Sequence, residues 1–416
     1  MAPSDREAAA LFVLPLRHDS GSGPIAAWAT AGGWATGAQR VLGHAVVISD
    51  SGVMTPEEAL SHVVGRRRTP STARRWRVLI PEPPITLAKD FRRAWHGRTR
   101  AQGIDASQWS EMDVAFVWQR HEMFRRCGLN LARRLRVPLV LSVHGLHVEE
   151  SRNWGTRRPG WGRLAERIGE LPQLREADLV ACVSDGVADA VLRRGVEESR
   201  VLVTPNGVDT MRFRPGTANQ ALVDRLTLKG KFVVGWSGSF RGFHGLDQAL
   251  TAMRLLKEKH HDIALLLIGD GGQRAAVEAR AAELGLGSVV FAGAVPYEEM
   301  PGYLNLCDAG LVLGPPTGSF HYSPVKLREY MATGLPVIAH DVGQLSTSLR
   351  QYEDALLVPR DDPEALATAI VRLRADGRLR FTLRRNGLQT AQSQLSWDRR
   401  VQDVLAALEL QSSMKH

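Results

Sequence analysis

The sequence is poor in cysteine and contains no long apolar run. Its three cysteines, Cys127, Cys182 and Cys307, are odd in number and far apart, which argues against a disulfide framework and a cysteine-type zinc site. No apolar stretch approaches the roughly 18 residues of a membrane-spanning helix. The first ten residues lack the apolar core and cleavage site of a secretory signal. These absences predict a cytoplasmic protein, with peripheral attachment to the inner face of the membrane as an open alternative.

Lysine is also scarce, since arginine supplies 46 of the 53 basic residues. The net charge of +9 favours anionic partners, which include nucleotide phosphates, an acidic membrane surface and nucleic acid. Short arginine clusters such as residues 66–68 are typical of solvated faces, and no nucleic-acid-binding module is recognisable. We therefore expect no nucleic-acid partner, whereas contact with an acidic membrane stays open.

Short apolar runs alternate with amphipathic segments along all 416 residues, of which 44% are apolar. The predicted strands span residues 11–16, 44–49, 77–80, 113–118, 138–143, 178–183, 200–204, 232–236, 263–268, 289–291, 310–313, 336–339 and 355–358. Helices are predicted over residues 129–135, 245–257, 273–284 and 363–373. Strands that are apolar on both faces and alternate with helices indicate parallel sheets covered by helices. The prediction is an α/β protein of two Rossmann-like, doubly wound domains that face each other across a cleft.

The domain boundary is predicted within residues 205–215, where proline, asparagine and glycine interrupt both periodicities. The first domain then covers residues 1–210 and the second residues 211–396. Because doubly wound sheets bind ligands beyond the carboxyl ends of their strands, we look for chemistry in the loops that follow the strands.

The strongest local pattern is HYSPVKLREYMATGLPVIA, residues 321–339. Ser323 is a favoured N-cap, and Pro324 suits the first helical position. Gly334 is placed to end the helix in the left-handed conformation. A helix from Pro324 to about Thr333 would direct its unpaired backbone amides and its positive dipole end at a loop, which suits a phosphate.

Two side chains of this helix strengthen the interpretation. Lys326 adds a full positive charge in the first turn. Glu329 follows three residues later on the same face, where its carboxylate could accept hydrogen bonds from the two hydroxyls of a ribose. The alternative is an ordinary surface lysine–glutamate pair.

A glycine-rich segment, GWSGSFRGFHG at residues 235–245, follows a predicted strand. Its glycines allow a ligand to approach the backbone, and Ser239, Arg241 and His244 could face that ligand. The segment matches neither the dinucleotide-binding GxGxxG pattern nor the GK[ST] of a P-loop. These absences argue against a nicotinamide-dependent oxidoreductase and a P-loop nucleotidase.

Together these stretches resemble family 4 of the nucleotide-sugar-dependent glycosyltransferases, retaining enzymes of the GT-B fold (glycosyl transferases group 1). The matching text is VLVTPNGVDTMRFRP (201–215), VGWSGSFRGFHGLDQAL (234–250), the segment from LLLIGDGGQ to DAGLVL (265–313) and SPVKLREYMATGLPVIAHDVG (323–343). Residues 113–145, from DVAFVWQRHE to VLSVHG, are similar to the family's acceptor domain. The final segment, 397–416, resembles the helix that crosses back onto the N-terminal domain.

The resemblance implies a role for each matched position. Glu329 would hold the ribose hydroxyls, and the backbone at Val325–Leu327 would hold the diphosphate. The implied donor-binding set is Gly21, Gly23, Gly238, Ser239, His244, Ala294, Val295, His321, Ser323, Val325, Leu327, Glu329 and Gly343. In this set Ala294 and Val295 would contact the base, Gly343 the sugar or phosphates, and the loop of Gly21 and Gly23 would close from the first domain.

The implied reaction moves a sugar from a nucleoside diphosphate to a hydroxyl of a glycan, lipid-linked or small-molecule acceptor, with retention of configuration. We expect His144, Arg241 and Lys326 to be the catalytic residues, with cations and backbone amides stabilising the departing diphosphate. His144 and His147 could also form an HxxH metal pair, but no carboxylate or cysteine at matching spacing supports it. We expect neither a metal nor a cofactor.

The chain departs from the family pattern at three positions. Many members carry glutamate eight residues before the position of Glu329, where this chain has His321. The usual arginine and lysine of the phosphate loop are replaced by Ser239 and His244. These departures keep an inactive GT-B binding protein open as an alternative, beside a nucleotide-sugar isomerase of the same fold and a nucleic-acid binder.

Overall fold

A computed structural model describes residues 8–15, 25–61, 82–100, 104–153, 156–315 and 323–413. The predicted strand at 77–80, the glycines Gly21 and Gly23, and His321 lie outside these residues. In the first domain the elements are β1 (Ala8–Leu14), α1 (Ile25–Leu42), β2 (Gly43–Ser49), β3 (Gly52–Met54), α2 (Pro56–Ser61), α3 (Glu82–Arg100), β4 (Val114–Arg120), α4 (Cys127–Leu135), β5 (Leu139–Val143), α5 (His147–Asn153), α6 (Gly162–Gly169), α7 (Leu171–Glu176), β6 (Leu179–Cys182), α8 (Asp185–Leu192) and β7 (Val201–Val203). None of the described helices is long and apolar enough to cross a membrane.

The second half of the chain repeats the strand–helix alternation. Its elements are α9 (Gln220–Arg225), β8 (Phe232–Ser237), α10 (Leu246–Leu256), β9 (Ile263–Ile268), α11 (Arg274–Glu283), β10 (Val289–Gly293), α12 (Met300–Leu304), β11 (Ala309–Val312), α13 (Val325–Ala332), β12 (Val337–His340), α14 (Gln344–Ser348), β13 (Leu356–Val358), α15 (Pro363–Ala375), α16 (Gly377–Gln394) and α17 (Trp397–Ser413). Local capping explains the start of α15. Asp362 caps α15 by accepting from the Ala365 amide at 2.8 Å, with Pro363 at the first helical position.

Two sheets organise these elements. The first has the order β3-β2-β1-β4-β5-β6-β7 and the second β10-β9-β8-β11-β12-β13. Neighbouring strands pair in parallel except at β2–β3. This pairing confirms both predicted sheets. Strands such as β5 and β9 are also buried along their whole length, as their apolar runs predict. The strand order reverses between β1 and β4 and between β8 and β11, and these are the switch points at which doubly wound sheets bind ligands.

The last helix, α17, packs against α1 of the first domain. Its first residue, Trp397, is 1% exposed and lies 5.7 Å from Trp34 between ring centroids. A Cβ added to Gly33 would come within 2.3 Å of the Trp397 ring, so only glycine lets the indole lie this close to α1. Arg40 of α1 also pairs with Asp398 at 2.7 Å.

Replacing Trp397 with alanine should remove the contact with Trp34 and leave a cavity between α17 and α1. The free energy of unfolding should fall by about 3–5 kcal/mol. Urea denaturation followed by circular dichroism measures the change. Leu410→Ala is the matched control, since Leu410 lies on the same helix but is 67% exposed; it should shift stability by no more than about 0.5 kcal/mol. Equal effects of the two substitutions would contradict the role of Trp397 as the anchor of α17.

Candidate functional site

The carboxyl ends of β8 and β11 flank the switch point of the second sheet, and helix α13 lies beside the end of β8. Tyr330 of α13 fixes the end of β8, because its hydroxyl oxygen accepts from the Ser237 amide at 2.7 Å and lies 3.0 Å from Ser237 Oγ. The next residue, Gly238, has φ +153°, and a Cβ there would lie 2.9 Å from Lys326 Nζ. Glycine at this position therefore leaves room for the lysine.

Helix α13 begins one residue later than expected. Pro324 is its N-cap, with φ −69° and ψ 118°, and no side chain caps the first turn. The prediction that Ser323 is the N-cap is wrong because this serine binds the interdomain segment. Its Oγ accepts from the Asn206 amide at 3.0 Å, and its carbonyl accepts from Asn206 Nδ2 at 2.7 Å. The Leu327 amide donates to the Pro324 carbonyl at 3.2 Å, so the amides of Val325 and Lys326 are the ones in the first turn that suit an anion.

The end of α13 matches the prediction. Gly334 has φ +71°, and its amide donates to the Met331 carbonyl at 3.0 Å. The Leu335 amide donates to the Tyr330 carbonyl at 2.8 Å. This left-handed termination keeps the helix short and leads the chain directly into β12.

Lys326 and Glu329 form the charged centre of the site. The ammonium of Lys326 lies 4.1 Å from the centroid of the Trp236 ring, a cation–π contact. Burial lowers the pKa of Lys326 to about 7, against the opposing influence of Glu329. Burial raises the pKa of the Glu329 carboxyl to about 7, and Lys326 acts in the opposite direction. The protein thus holds both groups where their charged forms are disfavoured, and an anionic ligand next to Lys326 would raise the pKa of its ammonium.

His244 and Arg241 complete the glycine-rich segment. The His244 ring lies 5.4 Å from Trp236 between centroids, in a 3-10 turn over Gly242–His244. Burial, followed by the charges of Lys326 and Arg241, lowers the pKa of His244 to about 2. The imidazole is therefore neutral and could act as a hydrogen-bond donor or acceptor, so the expected cationic contribution falls on Arg241, which is exposed, and on Lys326.

The positions expected to contact the base and the sugar follow β10 and β12 of the second sheet. Ala294 is exposed and Val295 is buried directly after β10. Gly343, with φ +49°, is the N-cap of α14. The next residue reaches the first domain, where Gln344 Nε2 donates to the Val183 carbonyl at 3.4 Å. Gly343 therefore lies where the second domain touches the first.

Tyr297 is a site residue that the sequence analysis missed. It is buried, and burial together with the negative charge of Glu329 raises its phenol pKa far above the ordinary value. Its ring lies 5.4 Å from Phe213, and the Arg212 guanidinium lies 5.3 Å from its centroid. No motif singles out this tyrosine, and only its proximity to Ala294 and Val295 in the chain could have drawn attention to it.

A second polar cluster lies in the first domain, beyond the ends of β4 and β5. His144 Nε2 is 3.3 Å from Ser142 Oγ, and burial, Arg120 and the neighbouring histidines lower its pKa well below the ordinary value. His121 and His147 lie 5.5 Å apart between ring centroids. His144 is thus one of three neighbouring histidines at the switch-point side of the first sheet.

Arg120 and His121 were not singled out from the sequence. His121 is buried and Arg120 is half-buried, and neither His121 nitrogen has a hydrogen-bond partner in the described part of the chain. Arg120 Nε lies 3.6 Å from Glu122 Oε1, an ion pair too long for a hydrogen bond. The available signal was the polar run QRHE, which interrupts an apolar strand at its carboxyl end.

Metal ligation receives no support from this cluster. Among the described residues, no group of three or more histidine, cysteine, aspartate and glutamate side chains is placed to hold a metal ion. His147 Nε2 lies 3.3 Å from the His121 carbonyl and 3.4 Å from Glu122 Oε2. The His144 and His147 side chains therefore have protein partners.

Two family models match the chain in succession. Residues 37–212 match Glycosyltransferase Family 4, and residues 231–376 match Glycosyl transferases group 1. The D-inositol 3-phosphate glycosyltransferase of Acidothermus cellulolyticus is 30% identical over 329 residues, which cover 74% of this chain and 68% of that protein. The 2-deoxystreptamine glucosyltransferase of Streptomyces kanamyceticus is 29% identical over 245 residues, 58% of this chain and 56% of that protein.

Solved structures share the fold at low sequence identity. Anabaena HepE in complex with UDP has a TM-score of 0.66 and 17% identity, covering 97% of this chain and 100% of HepE. Sucrose-phosphate synthase from Thermosynechococcus elongatus has a TM-score of 0.65 and 20% identity, covering 97% and 99%. With two family models matched in order and a relative at 30% identity, the chain belongs to the group 1, family 4 glycosyltransferases.

Proposed function

We propose that the protein is a retaining glycosyltransferase that moves a sugar from a nucleoside diphosphate to an acceptor hydroxyl. The observation that carries the proposal is the placement of half-buried Lys326 and buried Glu329 at the start of α13, beside the switch point of the second sheet. Structures of the fold neighbour HepE contain UDP or UDP-glucose, which supports the same class of donor here.

In this proposal the second domain binds the donor. Lys326, the amides of the first turn of α13 and the backbone at Gly238 hold the diphosphate. Glu329 accepts hydrogen bonds from the ribose hydroxyls, and Ala294 and Val295 border the base. A bound diphosphate would compensate the desolvation of Lys326 and raise the pKa of its ammonium above about 7.

The proposed reaction breaks the bond between the anomeric carbon and the diphosphate oxygen, and forms a bond from that carbon to the acceptor oxygen. The departing diphosphate takes the proton of the acceptor hydroxyl on the same face of the sugar, which retains the configuration. Negative charge grows on the leaving group, so Lys326, Arg241 and the helix dipole stabilise the transition state more than the ground state. Neutral His244 is suited to donate one N–H bond. No step needs a metal or another cofactor.

The first domain would bind the acceptor. His121 is buried and His144 is half-buried, and burial lowers the pKa of both imidazoles well below the ordinary value. Both are therefore neutral, and their ring nitrogens can exchange hydrogen bonds with hydroxyl groups of a glycan, lipid-linked or small-molecule acceptor. Arg120 and Glu122 add opposite charges at the same place. We propose that this cluster orients the attacking hydroxyl toward the sugar.

We further propose that the protein acts in the cytoplasm. Its three cysteines are free, and burial raises the thiol pKa of Cys127 to about 11. Unpaired thiols suit a reducing compartment.

Alanine at Lys326 or His144 should lower turnover by about 100-fold or more, because each substitution removes a group that faces the reacting atoms. The measurement is the slow release of nucleoside diphosphate from UDP-, GDP-, ADP- and dTDP-glucose, with and without EDTA. Lys259→Ala, an exposed lysine of the same domain, is the control and should leave the rate unchanged.

Near-normal rates in either variant would remove that residue from the mechanism. Loss of activity with EDTA would contradict metal independence. Failure to release diphosphate from any donor, with or without polyhydroxylated acceptors, would favour an inactive binding protein, and isomerisation of a donor without an acceptor would favour an isomerase.

Glu329 should be responsible for recognition of the ribose. The wild-type protein is expected to bind UDP more tightly, by about 100-fold or more, than 2′,3′-dideoxy-UDP, since the two charge-assisted hydrogen bonds contribute about 1.5–3 kcal/mol each. Glu329→Gln should abolish most of this preference, as measured by isothermal titration calorimetry. Glu258→Gln, at an exposed glutamate, should retain it. Equal discrimination by wild type and Glu329→Gln would place the ribose elsewhere.

Lys326 and Glu329 should lower the free energy of unfolding near neutral pH, because burial disfavours the charged form of each side chain. Unfolding returns Glu329 to an ordinary pKa of 4.5 and Lys326 to one of 10.5. The folded state therefore binds more protons at Glu329 between pH 4.5 and about 7, and the free energy of unfolding falls as pH rises through this range. Between about 7 and 10.5 the unfolded state binds more protons at Lys326, and stability recovers.

The double variant Lys326→Met/Glu329→Gln should lack this minimum and unfold at a higher temperature near neutral pH. Both substitutions remove an ionisable group whose charged form is disfavoured by burial, and replacing such groups by neutral ones of similar volume is often neutral or stabilising by about 1–4 kcal/mol. Differential scanning calorimetry across the pH range tests the expectation. A lower melting temperature of the double variant at every pH would mean that the pair stabilises the fold.

A further inference from the structure

We propose that His340, the last residue of β12, is a positioning residue that holds together the segments expected to bind the diphosphate. Its side chain is 0% exposed, so it acts through the residues packed against it. Three segments meet at this imidazole, which are the end of β11, the end of the glycine-rich segment and the turn that follows β12. The inference rests on the proposed function, because these segments matter together only if they bind one donor.

The first contact continues the sheet beyond its last paired residues. The register of β11 and β12 ends at the pair Val312–Ala339. Further along the chain, the Gly314 amide donates to Nδ1 of His340 at 3.1 Å. The imidazole therefore takes the place of a strand partner and fixes the chain where it leaves β11, on its way to α13.

The second contact reaches the glycine-rich segment at its last residue. Gly245 is the N-cap of α10, with φ +65°. A Cβ added there would lie 2.7 Å from the Gly314 carbonyl oxygen and 3.6 Å from His340 Cε1. The backbone of Gly245 thus packs directly against the hydrogen-bonded pair of His340 and Gly314. Gly245 also follows His244, whose ring lies against Trp236, so this packing extends to the charged centre of the site.

The third contact comes from the backbone of His340 itself. Its carbonyl accepts from the Val342 amide at 3.0 Å, which turns the chain tightly after β12. The next residue, Gly343, has φ +49° and is the N-cap of α14. This glycine is the position expected to approach the sugar or the phosphates. The side chain and the backbone of one histidine therefore connect all three segments.

The hydrogen bond from Gly314 also defines the form of the imidazole. Burial lowers the pKa of His340 to about 4, so the ring is neutral near neutral pH. Because Nδ1 accepts, the proton of the neutral ring lies on Nε2. Nε2 is buried and has no hydrogen-bond partner in the part of the chain that the structure describes, a cost that an apolar side chain would avoid. The histidine is thus explained by its acceptor atom, which an apolar side chain could not offer to Gly314.

The test compares variants that keep or lose an acceptor at the position of Nδ1. His340→Asn can place its amide oxygen there, His340→Gln places its amide group further out, and His340→Leu has no acceptor. In His340→Leu and His340→Gln, hydrogen exchange at Gly314 of the ligand-free protein should be faster by about tenfold or more, because a buried amide loses its bond. His340→Asn should stay within about threefold of the wild type. Mass spectrometry of peptides covering residues 310–315 and 242–248 measures the exchange.

Affinity for a donor nucleotide gives the second readout. Isothermal titration calorimetry uses whichever of UDP, GDP, ADP and dTDP the wild type binds most tightly. His340→Leu and His340→Gln should bind it more weakly by about tenfold or more, and His340→Asn within about threefold of the wild type. Leu256→Ala is the matched control, since Leu256 is 5% exposed but lies at the end of α10 opposite to Gly245. It should lower the melting temperature and leave the affinity unchanged.

Unchanged exchange and affinity in His340→Leu and His340→Gln would overturn the proposal. Equal losses in His340→Asn would also overturn it, because the packing of the ring and not its acceptor atom would then be responsible. Should His340→Leu fail to fold, the comparison of His340→Asn with His340→Gln decides. If the wild type binds none of the four nucleotides, the proposed function is contradicted instead, and hydrogen exchange alone decides whether His340 holds Gly314.

Discussion

The geometry of the site in the second domain depends on one constraint, which is the position of the Lys326 ammonium group partly out of contact with water. Lys326 lies against the face of Trp236, and a side chain at position 238 would collide with it. Tyr330, one turn further along α13, ties the helix to the end of β8 through Ser237. The helix, the strand end and the glycine are therefore specified together, because a shift of any one would separate the ammonium from the indole or force it into the backbone.

The same helix start connects the two domains. Ser323 directs its hydroxyl and carbonyl at Asn206, in the segment between the sheets, instead of capping α13. Two residues later, the Val208 amide donates to the Leu395 carbonyl at 2.8 Å, and the Val208 carbonyl accepts from the Trp397 amide at 3.2 Å. The donor-site helix and the crossing helix are thus attached to one short stretch of chain. A movement of one domain relative to the other would therefore displace this stretch and, through the Asn206–Ser323 hydrogen bonds, the first turn of α13.

The sequence predicted what local pattern controls and missed what tertiary contact controls. Strands such as β9 were predicted to the residue because each is a continuous apolar run that is buried on both faces. Strand β3 was missed because its three residues are exposed or half-buried and antiparallel to the sheet edge. The N-cap prediction at Ser323 was wrong because its partner, Asn206, lies 117 residues away. Tyr297 escaped notice for the same reason, since it packs against Phe213 from a distant part of the chain.

Burial also decides which positive charges can serve a ligand, which the net charge of +9 cannot show. Lys326 and Arg328 are two residues apart on α13 and have opposite surroundings. Arg328 is 4% exposed, donates to the Pro324 carbonyl at 3.0 Å, and has its pKa lowered to about 9 by burial and by Arg400. Lys326 is only partly buried, so a ligand's phosphate can replace the water that it has lost. Arg92 on α3 is exposed on the surface of the first domain, where salt screens its charge. The basic side chains thus differ in what they can do: Arg328 serves the packing of α13, Lys326 can bind a ligand, and Arg92 is a surface charge. The fold, and not the composition, decides which side chain does which.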